Sequence, residues 1–139
     1  MTTRGIYVLR DAGIEYEVLR YRYERVGARV AADAIEVPHE LVLKSLVFRD
    51  SDGALLFALI GAEANVSPRS LGRATEHKHV EAAAPRDAER VTGYQVGGIS
   101  PLGSRQALPV VLDEASQTIR PWCSMPGPAA RSSDSRQRI

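Results

Sequence analysis

The sequence predicts a single α+β domain built on a mixed β-sheet. Helix and strand signals are interleaved without the regular alternation that a parallel α/β sheet requires. Two apolar runs, residues 43–49 and 55–60, flank Asp50-Ser51-Asp52-Gly53, whose Asp-Gly pair is a strong hairpin signal. The chain has 139 residues, 44% of them hydrophobic and 25% charged, which suits one globular domain with its own core and is too short for two of ordinary size.

Each element has a local reason. Thr2 or Thr3 can cap a short helix on which Ile6, Leu9 and Arg10 fall at helical spacing, and Gly13 is placed to end it. Residues 14–21 alternate, with Ile14, Tyr16 and Val18 on one side and Glu15 and Glu17 on the other, and read as a strand. Residues 27–36, with Ala28, Ala31, Ala32 and Ile35, read as a helix ended before Pro38. In the first hairpin strand, alternation sets Lys44 on the face of Leu46 and Phe48, and Ser45 on that of Val47 and Arg49. Ser67-Pro68 is a helix entry, with residues 69–75 following. Residues 77–82 read as a short strand, 85–91 as a turn or two of helix, and 108–113 as a strand.

After about Ser116 the character changes. Residues 117–139 contain three prolines, four arginines and several serines without a hydrophobic period, and read as a disordered tail. The net charge of +1 therefore divides into +3 for the tail and −2 for residues 1–116. A body so near neutrality cannot grip a long nucleic acid by charge alone, so any RNA partner is expected to be held locally or with the help of another protein. Cys123 is the single cysteine, which excludes an internal disulfide and a cysteine-based metal cluster. No apolar run approaches the roughly 20 residues of a membrane span, and residues 1–13 carry Arg4, Arg10 and Asp11 where a secretory signal would be apolar. The expectation is a cytoplasmic protein with no membrane partner.

Two features carry chemistry. Lys44 lies inside the apolar run Leu41 to Phe48, and it and Lys78 are the only lysines among 18 basic residues. Loss of hydration there disfavours the charged amine, which either snorkels to water or serves as an electrostatic partner in a site. The segment TGYQVGGISPLG, residues 92–103, holds Gly93, Gly97, Gly98 and Gly103. Its glycines allow positive φ and bare amides, so the loop is either a structural turn or an anion or carbonyl pocket. It matches neither the dinucleotide fingerprint nor a P-loop, and GxSxG is absent. His39, His77 and His79 read as ordinary surface residues, and no metal site is expected from them.

Lys44-Ser45-Leu46 followed about fifty residues later by Gly-Tyr-x-x-Gly-Gly-Ile-Ser-Pro-x-Gly resembles the YbaK family of prolyl-tRNA-editing aminoacyl-tRNA deacylases. The Gly-Gly-Ile-Ser-Pro form is most similar to the branch that removes cysteine from tRNA for proline. The resemblance covers roughly residues 3–116 and implies a mixed sheet or open barrel with flanking helices. It implies that Lys44 and Gly97 are the catalytic positions, and that Tyr21, Ser45, Gly98, Ile99 and Ser100 shape the substrate pocket. The reaction implied is substrate-assisted, the thiol of the attached cysteine attacking its own carbonyl, without metal or organic cofactor. The acceptor end of an aminoacyl-tRNA is the implied partner, with prolyl-tRNA synthetase a further one. Leu43 stands where relatives carry an aromatic, and nothing after Ser116 resembles the family's last strand, glycine-rich turn and helix, so a truncated C-terminus is expected. Two other functions remain open: an inactive module of this fold that binds tRNA or the synthetase, and a nucleotide-binding protein whose glycine loop holds phosphate.

Overall fold

The computed structural model describes residues 3–20, 22, 27–117, 123–124 and 129–132. Its elements are α1 (Arg4–Asp11), β1 (Tyr16–Leu19), α2 (Ala28–Ala34), β2 (Val42–Asp50), β3 (Leu55–Gly61), α3 (Pro68–Thr75), β4 (Val80–Ala82), α4 (Pro85–Thr92), β5 (Val110–Leu112), β6 (Cys123–Ser124) and β7 (Ala129–Ser132), with short 3-10 turns at His39–Leu41 and Glu114–Gln117. The architecture is the expected α+β domain.

The strands form one sheet in the order β1-β7-β6-β2-β3-β5, with β4 also paired to β2. Pairing is antiparallel except for β2 with β6 and β3 with β5, so the sheet is mixed; it runs from β1 to β5 without closing into a barrel. Strands β6 and β7 fall in the segment whose composition predicts disorder, and they join β1 to β2 across the middle of the sheet. A stretch without hydrophobic periodicity can still complete a ladder, because ladder bonds use backbone groups that every residue except proline carries.

Local chemistry sets the element ends. Thr3 caps α1, its hydroxyl accepting from the Ile6 amide, and Gly13 follows the helix at φ +68°. At the hairpin, Asp50 Oδ1 accepts from the amides of Asp52 and Ala54, and Gly53 sits at φ +85°. Ser67 accepts from the Ser70 amide at the start of α3, with Pro68 in the first turn. This helix ends on Glu76 in the left-handed region while the His77 amide reaches back to the Gly72 carbonyl. Engaged in that cap, His77 cannot open the following strand, so β4 begins at Val80 rather than at residue 77.

Both faces of the central strands are covered. Phe48, Leu56 and Ala58 pack on Leu71 of α3 and Val80, with Leu46 alongside. Val47 and Phe57, on the opposite face, pack on Ala88 of α4 and on Ile99. The alternation read from residues 44–49 thus separates the two sides of the core. Ala31 and Ala32 of α2 pack against Val42 and Ala62 at the far end of β2. No helix among the described residues is long and apolar enough to cross a membrane.

Candidate active site

Among the described residues, the middle of strand β2 has no partner on the side away from β3. On the side away from β3 it pairs with β6 at Val42 and Leu43 and with β4 from Phe48 to Asp50, leaving Lys44, Ser45 and Leu46 between the two partners. The Val42 carbonyl accepts from the Ala62 amide, so even-numbered residues of β2 turn their backbone groups toward β3. Odd-numbered ones turn away, as the Val47 carbonyl shows by accepting from the Ala83 amide. The amide and carbonyl of Ser45 consequently face the gap.

A cleft of about 370 Å³ opens over this gap. Its walls are Gly27 and Ala28 at the start of α2, residues 44–48 of β2, Ala82 and Ala83 at the end of β4, Pro85 and Ala88 of α4, and Val96, Gly97 and Ile99 of the glycine loop. Lys44 and Ser45 point to opposite faces of their strand yet both line the cavity, because it straddles an edge rather than lying on one face. Most of the lining is small and apolar.

Three polar features stand out against it. Burial, and to a lesser degree the charge of Arg29, push the Lys44 ammonium below the usual lysine range. Lys44 has no ion-pair partner among the described residues. Ser45 Oγ is buried without a hydrogen-bond partner among the described residues. The amides of Gly97 and Ile99 have no acceptor among the described residues, and Gly97 holds φ +91°, a conformation suited to glycine. A cation, a hydroxyl and amides without an acceptor among the described residues, around one apolar hollow, suit an uncharged group that develops negative charge on oxygen, since each can donate and none supplies a competing anion.

The glycine loop is pinned from several sides. Glu89 of α4 accepts from the Val96 amide, the Gly98 amide donates to the Gln95 carbonyl, and buried Thr92 donates to the Ala88 carbonyl while accepting from the Tyr94 amide. The Tyr94 hydroxyl donates to the Leu102 carbonyl at 2.7 Å and accepts from the Gly5 amide at 3.0 Å. That amide belongs to the first turn of α1, where helical donors have no intrahelical acceptor. The motif's tyrosine is thus a strut between α1 and the loop. At Gly103, φ +71°, an added Cβ would lie 2.8 Å from the Arg4 backbone, so helix and loop meet in direct contact there.

Of the residues implied by the resemblance, Lys44, Ser45, Gly97 and Ile99 share the cleft. Gly98 and Ser100 lie outside its lining: Gly98 closes a turn, and Ser100, 2% exposed, accepts the Leu102 amide at its Oγ. Tyr21 lies outside the described residues. Sequence reasoning missed the role of Tyr94, for which its place beside four glycines was the available signal.

Two of the histidines expected to be ordinary surface residues are structural. His39 bridges Asp33 Oδ1 at 2.6 Å and Glu63 Oε1 at 2.7 Å, tying α2 to the chain after β3. Its hydrogen bond to Asp33 first, then that to Glu63, push its pKa up. His77 sits within 3.3 Å of Asp50 and hydrogen-bonds Ser51. Asp50, Asp52 and His77 bring one potential metal-ligand atom each within 4.8 Å of one another, outside the cleft. Asp50 Oδ1 is already engaged by the two hairpin amides.

A mixed sheet with this donor-lined edge cleft defines the class. The sequence profile of the aminoacyl-tRNA editing domain matches residues 25–132, and the chain belongs to that family. The match continues past Ser116, so the family resemblance does not end where the composition changes. Among curated proteins the chain is 28% identical over 103 residues to a candidate Cys-tRNA(Pro)/Cys-tRNA(Cys) deacylase, EbsC, of Enterococcus faecalis strain ATCC 700802 / V583. That alignment spans 74% of this chain and 62% of the relative, so the chain corresponds to less than two thirds of the curated protein. Two solved structures share the fold. One is the hypothetical protein APE2540, with a TM-score of 0.83 at 18% identity over 93% of this chain and 87% of that one. The other is a candidate trans-editing enzyme for prolyl tRNA synthetase, with a TM-score of 0.78 at 22% identity over 94% and 85%.

Proposed function

We propose that the chain is an aminoacyl-tRNA deacylase that edits in trans, hydrolysing the ester of mischarged tRNA, with Cys-tRNA(Pro) as its substrate. The observation that carries this reading is that Lys44, partly desolvated and without an ion-pair partner among the described residues, lines one apolar cleft with Gly97 and Ile99, whose amides have no acceptor among those residues. Family membership and the deacylase name of the EbsC relative support it, and the likeness to a candidate trans-editing enzyme agrees with docking near prolyl-tRNA synthetase.

The chemistry follows from what the site holds. Small walls at Ala28, Ala83, Ala88 and Val96 suit a short uncharged side chain. The cysteine thiol of the substrate attacks its own ester carbonyl, forming a carbon–sulfur bond. The ester carbon–oxygen bond then breaks and the ribose oxygen leaves with the thiol proton. Water afterwards opens the cyclic thioester to free cysteine. Lys44 and the Gly97 and Ile99 amides stabilise the oxyanion, and Ser45 Oγ accepts a hydrogen bond from the substrate amino group. One such oxyanion donor is worth about 10² to 10³ in rate. Proximity within the substrate supplies the nucleophile, so no side chain has to.

The test is single-turnover deacylation of Cys-tRNA(Pro) by the native chain, by Lys44→Ala, and with the substrate thiol methylated. Loss of about two orders of magnitude in the variant, and resistance of the methylated ester, are expected. Equal cleavage by Lys44→Ala would refute the site, and equal cleavage of the methylated substrate would refute the mechanism. Retained tRNA binding without any Lys44-dependent hydrolysis would favour an inactive binding module.

A further inference from the structure

A second concavity, of about 490 Å³, lies between α3 and the chain entering β4. All of its charged or titratable lining residues are basic: Arg69, Arg73, His77, Lys78 and His79. Arg69 and Arg73 stand four residues apart on α3 and so occupy one helical face. Lys78 and His79 follow the helix end and are exposed beside them. His77 is held by Asp50 and Asp52, which makes it a support for the groove rather than a free ligand. Arg69, Arg73 and Lys78 have no ion-pair partner among the described residues. In a chain of net charge +1 this gathers in one hollow three permanent cations that have no ion-pair partner among the described residues, and their fields add there.

The groove and the cleft are connected by a single short strand. His79 and Val80 at the start of β4 border the groove, and Ala82 and Ala83 at its end border the cleft. At about 3.3 Å per residue the two are separated by roughly 7 to 10 Å along β4. We infer that this groove binds phosphates of the tRNA acceptor arm, a few nucleotides from the ribose whose ester enters the cleft. The inference rests on the deacylase reading for the identity of the RNA. It also explains how a nearly neutral domain can hold a polyanion: the grip is local and sits next to the reactive end.

The experiment uses the full chain and a triple variant, Arg69→Gln, Arg73→Gln and Lys78→Gln, with folding checked by circular dichroism. Filter binding of deacylated tRNA is followed from 50 to 200 mM salt, and cysteine release is measured from Cys-tRNA(Pro) and from a phosphate-free 3′-cysteinyl adenosine ester. Neutralising three phosphate contacts predicts a salt slope shallower by about 2 to 3, with tRNA binding about tenfold weaker or more. KM for the tRNA substrate rises correspondingly, while turnover of the adenosine ester stays unchanged. Unaltered tRNA affinity and slope in the folded variant would overturn the inference. If the native chain hydrolyses neither ester, the deacylase reading falls while the binding arm still judges the groove. Should the triple variant fail to fold, the pair Arg73→Gln and Lys78→Gln is read the same way, with a slope change of about 1.5.

Discussion

Replacing Tyr94 with phenylalanine isolates the strut between α1 and the glycine loop. The change removes one hydroxyl, keeps the ring, and leaves both the Gly5 amide and the Leu102 carbonyl without their partner. Leaving a buried polar group unsatisfied costs about 1 to 3 kcal/mol, and both bonds here are partly buried, so a total of about 2 kcal/mol is expected. Unfolding entropy near 60 °C is about 2.1 cal/mol/K per residue, roughly 0.29 kcal/mol/K for a chain of this length, which converts the loss to a fall in Tm of about 7 °C. The assay is thermal denaturation followed by circular dichroism at neutral pH, repeated up to pH 11. Burial holds the Tyr94 hydroxyl above the usual tyrosine range, opposed by the Gly5 amide and Arg4. Because the folded pKa is raised, the native contribution is intact below about pH 10 and is lost as pH climbs through the folded value. Tyr94→Phe should lack that alkaline component. A Tm within 1 °C of native at neutral pH, roughly 0.3 kcal/mol, would show that the hydroxyl holds nothing together.

The remaining predictions concern the cleft, a histidine bridge and the helix–loop contact. Lys44→Met should slow deacylation by about two orders of magnitude while leaving Tm unchanged or raised, since it removes an ammonium that burial disfavours; a clear fall in Tm would mean that the amine is a structural element. The His39 bridge raises the folded pKa of that histidine, so its stabilisation is fully present below about pH 6.5 and lost as pH rises through the folded value. Denaturant midpoints at pH 6 and pH 8.5 should therefore differ more for the native chain than for His39→Gln. Gly13→Ala and Gly103→Ala both force alanine into the left-handed region, at about 1 to 2 kcal/mol each. An added Cβ meets nothing within 4 Å at Gly13 but lies 2.8 Å from the Arg4 backbone at Gly103, so the second variant should lose at least twice the Tm of the first. Equal losses would show that helix and loop yield freely at that contact.

Local determinants of the fold are legible in the sequence. The Thr3 and Ser67 caps, the Asp50 to Gly53 turn and the glycine at the end of α1 act within four residues of themselves, so neighbouring letters suffice to specify them. Lys44 and the glycine loop could be singled out because an amine in an apolar run and four glycines in twelve residues both carry a cost that ordinary packing does not explain. The Tyr94 strut was not legible, since its partner Gly5 is 89 residues away. Nor was the His39 bridge, whose carboxylates come from an earlier helix and from the chain beyond a later strand.

By itself, then, the chain's order of residues determined which segments turn, which pair as a hairpin, and which two features are chemically unusual. Strand order decided everything about the cavity. Lys44 and Ser45 share it because β6 and β4 arrive at the two ends of β2 from distant parts of the chain and, among the described residues, leave its middle without a partner on the side away from β3. Such a gap is a property of long-range pairing, set by how the whole sheet buries its two faces, and no pattern within residues 43–49 could encode it.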